Sequence, residues 1–224
     1  MIPFSYSYLF GTILFLIPWF VIYFSRKDLR REMMIISIFG AVMSVVTGYL
    51  WLTYDWWHPE TITQTRVGIE DVLLGFGNGG VAAVLYQYVH SAQTTKAHPP
   101  NKTAVIMIVL GLMVCMYFFI SFLSLTSFYA SALCMFLVMG VSFVLRRDLF
   151  RIAAMSGIYM TVLSLPIYVA CELVSPGWIA HAWFTQSLSG IYLWRIPIED
   201  LVFYFQAGFL SPLFYKIWYG ESII

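Results

Sequence analysis

The chain has 224 residues, of which 61% are hydrophobic, 19% are aromatic and only 10% are charged. Soluble domains carry roughly 25% charged residues, so this composition excludes an ordinary soluble protein and indicates an integral membrane protein. The net charge of +1 provides neither a basic surface for nucleic acid nor an acidic solvating arm.

Seven apolar runs are long enough to cross the membrane, since a bilayer core of about 30 Å takes about 20 residues of helix. In chain order, the predicted spans are residues 3–25, 33–53, 67–90, 103–122, 125–145, 152–174 and 196–218. The N-terminus has no basic region or small-residue cleavage site typical of a signal peptide, so we expect the first run to remain as a helix. The predicted fold class is all-α integral membrane, with seven transmembrane helices in one domain over 1–224.

The Lys and Arg residues indicate the orientation, because cytoplasmic loops carry an excess of them. When the loops between the seven spans are taken alternately, ten of the twelve basic residues fall on one side. The two exceptions are Arg66 and Arg195. We therefore expect a multi-pass protein of the cell membrane, with the N-terminus outside and the C-terminus in the cytoplasm.

The carboxylates are distributed the other way, with seven of the eleven at the predicted outer ends of spans 2, 3, 6 and 7. These seven are Asp55, Glu60, Glu70, Asp71, Glu172, Glu199 and Asp200. Some lie within the apolar runs, where an ionisable side chain is costly and marks a candidate functional site.

An internal repeat relates the two halves of the chain. The segment 26–29 (RKDL) matches 146–149 (RRDL), and 66–72 (RVGIEDV) matches 195–201 (RIPIEDL), so the offset grows from 120 to 129 residues. Four spans separate equivalent positions, and an even number makes the two halves parallel. We expect tandem three-helix repeats, spans 1–3 and 5–7, joined by span 4. The boundaries are repeat one 1–91, linker helix 92–122 and repeat two 123–224.

Each repeat places an Arg and then a pair of acids at the start of a membrane helix. The candidates are Arg66, Glu70 and Asp71 in the first half, and Arg195, Glu199 and Asp200 in the second. Acids in a first helical turn are also an ordinary structural feature, because the free N–H groups there favour negative charge. The repetition, with Asp55 and Glu172 predicted at the same depth, favours a functional cluster.

Helical spacing indicates what surrounds the acid pairs, because residues three, four and seven apart share a face. In the second half this face carries Phe203, Tyr204 and Gln206, with Trp194 just before the helix. In the first half it carries Asn78, within the glycine-rich stretch 75–80. Aromatic faces stabilise cations, and a shielded carboxylic acid can give a proton that a neighbouring carboxylate takes back. The same aromatics are equally explained as packing or interfacial residues.

The sequence gives little support for a metal site or for a bound cofactor. His58 and His181 lie in the predicted outer loops without an HxxxH or ExxH pattern, so a metal site is not expected. The glycine-rich stretch 75–80 lies in a membrane helix rather than a βαβ unit, so no nicotinamide or flavin is expected. Cys115, Cys134 and Cys171 lie in apolar runs and are interpreted as packing residues.

The segment 197–205 (PIEDLVFYF) resembles the PxE(E/D) signature, with its following aromatics, of the lycopene cyclase domain family. The tandem three-helix units resemble two subunits of that family fused in one chain. The resemblance implies an enzyme that cyclises the ψ-end groups of a linear carotenoid, taken from the bilayer, without net oxidation or reduction. Two departures weaken the first half: Gly68 stands at the position of the signature's Pro, and Leu74-Gly75 stand where the second half has Phe203-Tyr204.

The resemblance implies a role for each of the main candidate residues. Glu199 or Glu70 would donate the proton, and Asp200 or Asp71 would support or receive one. Arg195 and Arg66 would hold the partner acids ionised, while Phe203 and Tyr204 would shield the cation. Mutation of Glu199 to Gln is then expected to abolish cyclisation.

Two other classes of membrane protein fit part of the pattern. A small proton-coupled transporter would also contain parallel repeats and intramembrane acids. A retinal protein needs a Lys near the middle of span 7, but Lys216 lies about 30 Å along that helix.

The sequence leaves several properties of such an enzyme open: the ring type (β, ε or γ), whether the substrate is C40 or C50, whether one or both of its ends are cyclised, and whether there are one or two active sites. It also leaves open whether the protein forms a homo-oligomer or associates with other carotenoid enzymes.

Overall fold

Helices make up most of the chain, which a computed structural model describes over all residues 1–224. They are α1 (Phe4–Ser25), α2 (Arg30–Thr47), α3 (Thr53–Asp55), α4 (Ile69–His90), α5 (Lys102–Ser121), α6 (Ser127–Leu145), α7 (Arg147–Val174), α8 (Trp178–Ala182) and α9 (Ile198–Tyr219). A π-helical segment, Gly48–Leu52, connects α2 to α3. Short strands form two antiparallel pairs, β1 (Thr94–Lys96) with β4 (Glu221–Ile223) and β2 (Tyr192–Leu193) with β3 (Ile196–Pro197).

Six of the helical segments are long and apolar enough to cross a membrane. They cover residues 4–25, 27–55, 69–90, 102–121, 127–145 and 147–174. The seventh predicted span corresponds to α9, which also has 22 residues but does not meet the same measure of apolarity. Its acids and amide lower its hydropathy, and most of α9 is buried among the other helices.

Two helices start earlier than the apolar pattern predicted. The observed α7 begins at Arg147 rather than 152, and α2 begins at Arg30 rather than 33. The Arg, Glu and Leu residues ahead of these apolar runs are good helix formers, so the helix continues past the membrane-embedded part. Hydropathy therefore located the spans but not the ends of these helices.

The two central helices are α4 and α9, which pack against each other. The most extensive contacts are those of α2 with α4 and of α7 with α9. Along the chain, α1 packs against α4 and α7, while α5 packs against α6 and α9. The acid motifs open α4 and α9, so this arrangement places both at the same end of the bundle's centre.

Glycines allow α2 and α4, and likewise α7 and α9, to approach closely. A Cβ atom on Gly79 would lie 2.8 Å from the carbonyl oxygen of Ile36, and one on Gly208 would lie 2.5 Å from that of Ser156. Gly208 follows Gly79 by 129 residues and Ser156 follows Ile36 by 120, which are the two offsets of the sequence repeat. The same backbone contact thus occurs once in each half.

Substitution of Gly79 by Ala should destabilise the protein, because the new methyl group has only backbone to displace. Overpacking of this kind costs about 1–3 kcal/mol. The control is Gly111→Ala in α5, since no atom lies within 4 Å of the added Cβ and Ala favours helix. Thermal unfolding in detergent should show a lowered Tm for Gly79→Ala and an unchanged or raised Tm for Gly111→Ala; equal Tm values would contradict the contact.

A buried charge cluster joins three helices at the opposite end from the acid motifs. Lys216 on α9 is fully buried and donates from Nζ to Glu32 Oε1 on α2 and, at 3.0 Å, to Gln87 Oε1 on α4. Gln87 in turn donates to the second oxygen of Glu32 at 3.2 Å. Sequence analysis placed Lys216 at a helix end and did not foresee this pairing, whose partners are far apart in the chain.

Candidate active site

Four carboxyl groups are buried in the first turns of α4 and α9. Glu70 and Asp71 follow Gly68, and Glu199 and Asp200 follow Pro197; both preceding residues have extended backbone, which lets the helix begin there. All four acids are at most 4% exposed. The structure therefore brings the paired acid motifs together inside the protein, as the repeat predicts.

The two glutamates point toward the loops that precede their helices. Glu70 Oε1 accepts the backbone N–H of Ile62 at 2.6 Å, and Glu199 Oε1 accepts that of Ser189 at 2.5 Å. The second oxygen of each glutamate is buried without a hydrogen-bond partner in the protein. Neither glutamate lines the cavities described below, so each is placed to hold its loop.

The two aspartates face a common space, which we call the acid cavity, with a volume of about 50 Å³. Asp71 accepts the hydroxyl of Tyr8 at 2.8 Å and the backbone N–H of Gly68 at 2.8 Å, one on each oxygen. Asp200 accepts Trp183 Nε1 at 3.0 Å on Oδ1, while its Oδ2 has no partner in the protein. The two carboxyl groups thus share a cavity but differ in how many donors stabilise them.

Aromatic rings form most of the wall of the acid cavity. Trp57 meets Tyr8 edge to face at 4.7 Å between ring centroids, and Phe203 meets Tyr204 in the same way at 5.4 Å. The ring of Trp56 packs edge-on against Phe203 at 5.5 Å. Such a wall excludes water and presents π faces, which favour a cation.

A larger cavity of about 280 Å³, which we call the apolar chamber, lies beside the acid cavity. Residues of α2, α4, α5, α6 and α9 line it, and most of them are hydrophobic. Five residues line both spaces: Ser44, Leu52, Trp56, Leu74 and Phe203. The chamber and the acid cavity are therefore contiguous.

Two amide side chains interrupt the apolar wall of the chamber. Asn78 and Gln206 are 5% and 8% exposed, and both line the chamber. Asn78 Oδ1 and Gln206 Nε2 have no hydrogen-bond partner in the protein. The structure therefore places both in the wall of the chamber that adjoins the acid cavity, on the helix faces that follow the acid pairs.

The two arginines of the motifs lie apart from the acid pairs. Arg195 Nη1 donates to Glu172 Oε1 at 2.8 Å, and the buried Glu172 also accepts the backbone N–H groups of Gly177 and Ile179. Arg195 makes no ion pair with Glu199 or Asp200, so it does not act on them by direct contact. Trp194 is 54% exposed and packs near Arg195 rather than facing the acid cavity.

Arg66 makes a comparable surface contact in the first half. Its guanidinium lies over the rings of Tyr49 and Tyr54, at 4.4 and 4.2 Å from their centroids, and donates to the carbonyl of Tyr49 at 2.6 Å. It makes no ion pair with Glu70 or Asp71. The sequence interval of four residues put Arg66 one turn before the acids, but the helix begins only at Ile69, so the arginine belongs to the loop.

The two loops at this end of the bundle are joined by their backbones. His58 N–H donates to the carbonyl of Ala182 at 2.8 Å, and Phe184 N–H donates to that of Trp56 at 3.0 Å. This bridge brings Trp57 against Trp183, with ring centroids 5.0 Å apart. The joined loops close one side of the acid cavity, where Trp56 and Trp57 form part of its wall.

Sequence reasoning missed the residues that these loops and α1 contribute. Tyr8, Trp57 and Trp183 contact the aspartates or each other, but Tyr8 lies 63 residues before Asp71 and the two tryptophans lie in loops, outside the helical spacing of the acid motifs. The Trp56-Trp57 doublet directly after Asp55 is a signal that could have indicated a functional loop. No comparable signal marks Tyr8 within its apolar run.

The loop histidines are engaged with neighbouring side chains. His58 stacks on Phe184 at 3.9 Å, and burial together with the nearby His181 lowers the pKa of His58. His181 Nε2 lies 2.9 Å from Glu60 Oε1. No three His, Cys, Asp or Glu side chains are grouped so as to hold a metal ion.

Comparison with protein families gives one match, to the family described as lycopene cyclase. It covers residues 5–89 and 116–218, which together make up most of the chain. The two matched regions each contain one acid motif, in agreement with two fused halves. Comparisons with curated proteins and with solved structures give no match.

Proposed function

The chain belongs to the lycopene cyclase family, and from this premise we propose that it is an integral membrane enzyme that cyclises the ψ-end groups of a linear carotenoid. The observation that carries this proposal is the free Oδ2 of Asp200, buried in an aromatic cavity that opens into the apolar chamber. A hydrocarbon offers no polar group to bind, so an apolar chamber with one reactive acid suits it.

The reaction begins with proton transfer from the neutral carboxyl of Asp200 to a terminal C=C bond. A new C–H bond forms and a tertiary carbocation results; the next C=C bond then supplies its electron pair to close the ring. The ring cation loses a proton to a base, and the substrate's formula is unchanged, so the reaction is an isomerisation without redox change. A proton then passes from the base back to Asp200 across the shared acid cavity, which restores the enzyme for the next turnover. General acid and base groups placed in this way contribute about 10²- to 10⁴-fold each.

Asp71 is the group best placed to act as the base. Its two oxygens each accept one hydrogen bond, from Tyr8 and from Gly68, and donors of this kind favour the ionised form of a carboxyl group. Asp200 accepts one well-formed hydrogen bond, from Trp183; the hydroxyl of Tyr168 lies in the same cavity but forms none with it, and Oδ2 is left unpaired, which favours the neutral form that can give a proton. The unequal hydrogen bonding therefore divides the roles of acid and base between the two aspartates.

This assignment moves the proton donor from Glu199 or Glu70 to Asp200. The glutamates then act as positioning residues that fix the loops carrying Trp57 and Trp183. The arginines act outside the acid cavity. Arg195 acts through its ion pair with Glu172 and through the loop that Glu172 holds. Phe203 and Tyr204 keep the role the resemblance implies, since both line the acid cavity and face the developing cation.

The substrate would enter from the lipid. Only two of the 20 residues of α5 are buried, yet α5 supplies part of the chamber wall, so the chamber lies close to the lipid-facing surface. In the proposed arrangement α9 is the seventh span and the two halves form tandem parallel repeats. The acid cavity then lies toward the outer face, with the N-terminus outside and the C-terminus in the cytoplasm. No observation favours the transporter alternative.

Expression in a bacterium that accumulates lycopene tests the proposal. We expect the red pigment to be converted to cyclic yellow-orange carotenoids, which chromatography of the extracted pigments would identify by ring type. A strain carrying the empty vector is the control, and immunodetection in the membrane fraction verifies insertion. An unchanged pigment profile with the protein inserted would count against cyclisation of lycopene.

A further inference from the structure

We infer that the chain has one working substrate chamber rather than two, and that the two ends of a carotenoid are cyclised in separate binding events. The inference rests on the proposed function and extends it to the number of active sites. It follows from comparing the apolar chamber with the space that the repeat places on the other side of the acid cavity.

The repeat offsets locate this second space. Ser131 and Met135 on α6 line the chamber, and their counterparts 120 residues earlier are Gly11 and Phe15 on α1. Gly11 and Phe15 line a second cavity between α1, α4, α7 and α9, which shares five lining residues with the acid cavity and so adjoins it as the chamber does. That cavity has a volume of about 20 Å³, against about 280 Å³ for the chamber.

Two aromatic rings fill the second space. Tyr204 follows Gly75 of the chamber wall by 129 residues, so a phenol ring stands where the first half has no side chain. It stacks on Phe15, with centroids 5.1 Å apart and planes 10° from parallel. Both residues are nearly fully buried, at 4% and 2% exposed. A polyene could enter only if this stack were broken.

Helix packing closes the second space further. A Cβ atom on Gly11 would lie 2.9 Å from Cys171 Sγ, so α1 and α7 are already in close contact there. The open chamber is widened by α5, whose Val109, Leu112, Met113 and Met116 form one wall. Because α5 links the repeats and has no counterpart, the chain cannot build the same wall twice.

A single chamber has a kinetic consequence. Closure of one ring leaves the other end of the substrate outside the acid cavity, so the molecule must leave and re-enter in the opposite direction. The monocyclic carotenoid is therefore a free intermediate in the membrane. It should accumulate first when lycopene is in excess over enzyme.

The deciding experiment blocks the chamber with a bulky side chain. In Ala207→Phe, the ring would project into the chamber from α9, and we expect cyclisation and carotenoid binding both to fall to background. Two independent sites would instead leave about half of the cyclisation activity and about half of the carotenoid binding. The control is Leu133→Phe on α6. The side chain of Leu133 is 42% exposed on the surface of the helix bundle and does not line the chamber, so activity should be unchanged.

Binding stoichiometry keeps the inference separate from the proposed function. Quenching of tryptophan fluorescence by lycopene in detergent should saturate at one carotenoid per wild-type chain, whether or not a ring forms. Saturation at two would overturn the single chamber, while one bound molecule without any product would count against cyclisation instead. If Ala207→Phe does not fold, Ser131→Phe blocks the same chamber from α6 and is read in the same way.

Discussion

Replacement of Asp200 by Asn should lower the rate of cyclisation by about 10²- to 10⁴-fold, the range expected for loss of a general acid. Asn has nearly the same shape and can still accept the hydrogen bond from Trp183 Nε1. It has no acidic proton to give from the position of Oδ2. The fold and the acid cavity should therefore persist while the first step of the reaction fails.

The measurement is the initial rate of cyclic product formation from lycopene by purified protein in detergent or liposomes. Glu199→Gln is the matched comparison, because its amide oxygen can still accept the N–H of Ser189 and the substitution is equally conservative. We expect Glu199→Gln to keep substantially more activity than Asp200→Asn. The reverse order would return the role of proton donor to Glu199, as the resemblance alone implies.

Replacement of Lys216 by Met should destabilise the folded protein by about 3–5 kcal/mol, the usual cost of removing one partner from a buried ion pair. Glu32 would be left buried with only Gln87 as a donor, at 3.2 Å. The loss of stability arises from this uncompensated charge rather than from lost packing, since Met has a side chain of similar length.

The double variant Glu32→Gln with Lys216→Met separates these two causes. With no charge left in the cluster, most of the lost stability should return, because replacing a whole buried ion pair is often close to neutral. Thermal or denaturant unfolding of wild type, single and double variants in detergent gives the comparison. If the double variant is as unstable as Lys216→Met alone, packing and not charge governs this site.

Much of the architecture follows from local sequence features. Apolar runs located the spans, and the repeated RxxxED pattern indicated that Glu70, Asp71, Glu199 and Asp200 would lie together. These features depend on hydropathy and on spacing along one helix, both of which are visible in sequence. The same offsets relate the two equivalent backbone contacts that the structure shows at Gly79 and at Gly208.

Other parts of the site depend on contacts between distant segments and could not be foreseen. Tyr8 lies 63 residues before Asp71, and no pattern in its helix marks it as the partner of an acid. The different orientation of the two acids in each motif is also hidden, because it depends on where the preceding loop runs. Arg66 and Arg195 were given roles by proximity in sequence, but their partners are decided by the path of those loops.

The π-helical segment Gly48–Leu52 sets the angular position of α3 and of Trp56, which follows it directly. A π turn is in effect an α-helix that contains one extra residue, and each α-helical residue rotates the chain by about 100°. Without the extra residue, Leu52 and Trp56 would turn away from the acid cavity that both now line. The alignment of this wall with the aspartates therefore depends on the number of residues in the helix. Adding or removing a single residue would rotate the wall away from the aspartates, even if every lining side chain were kept.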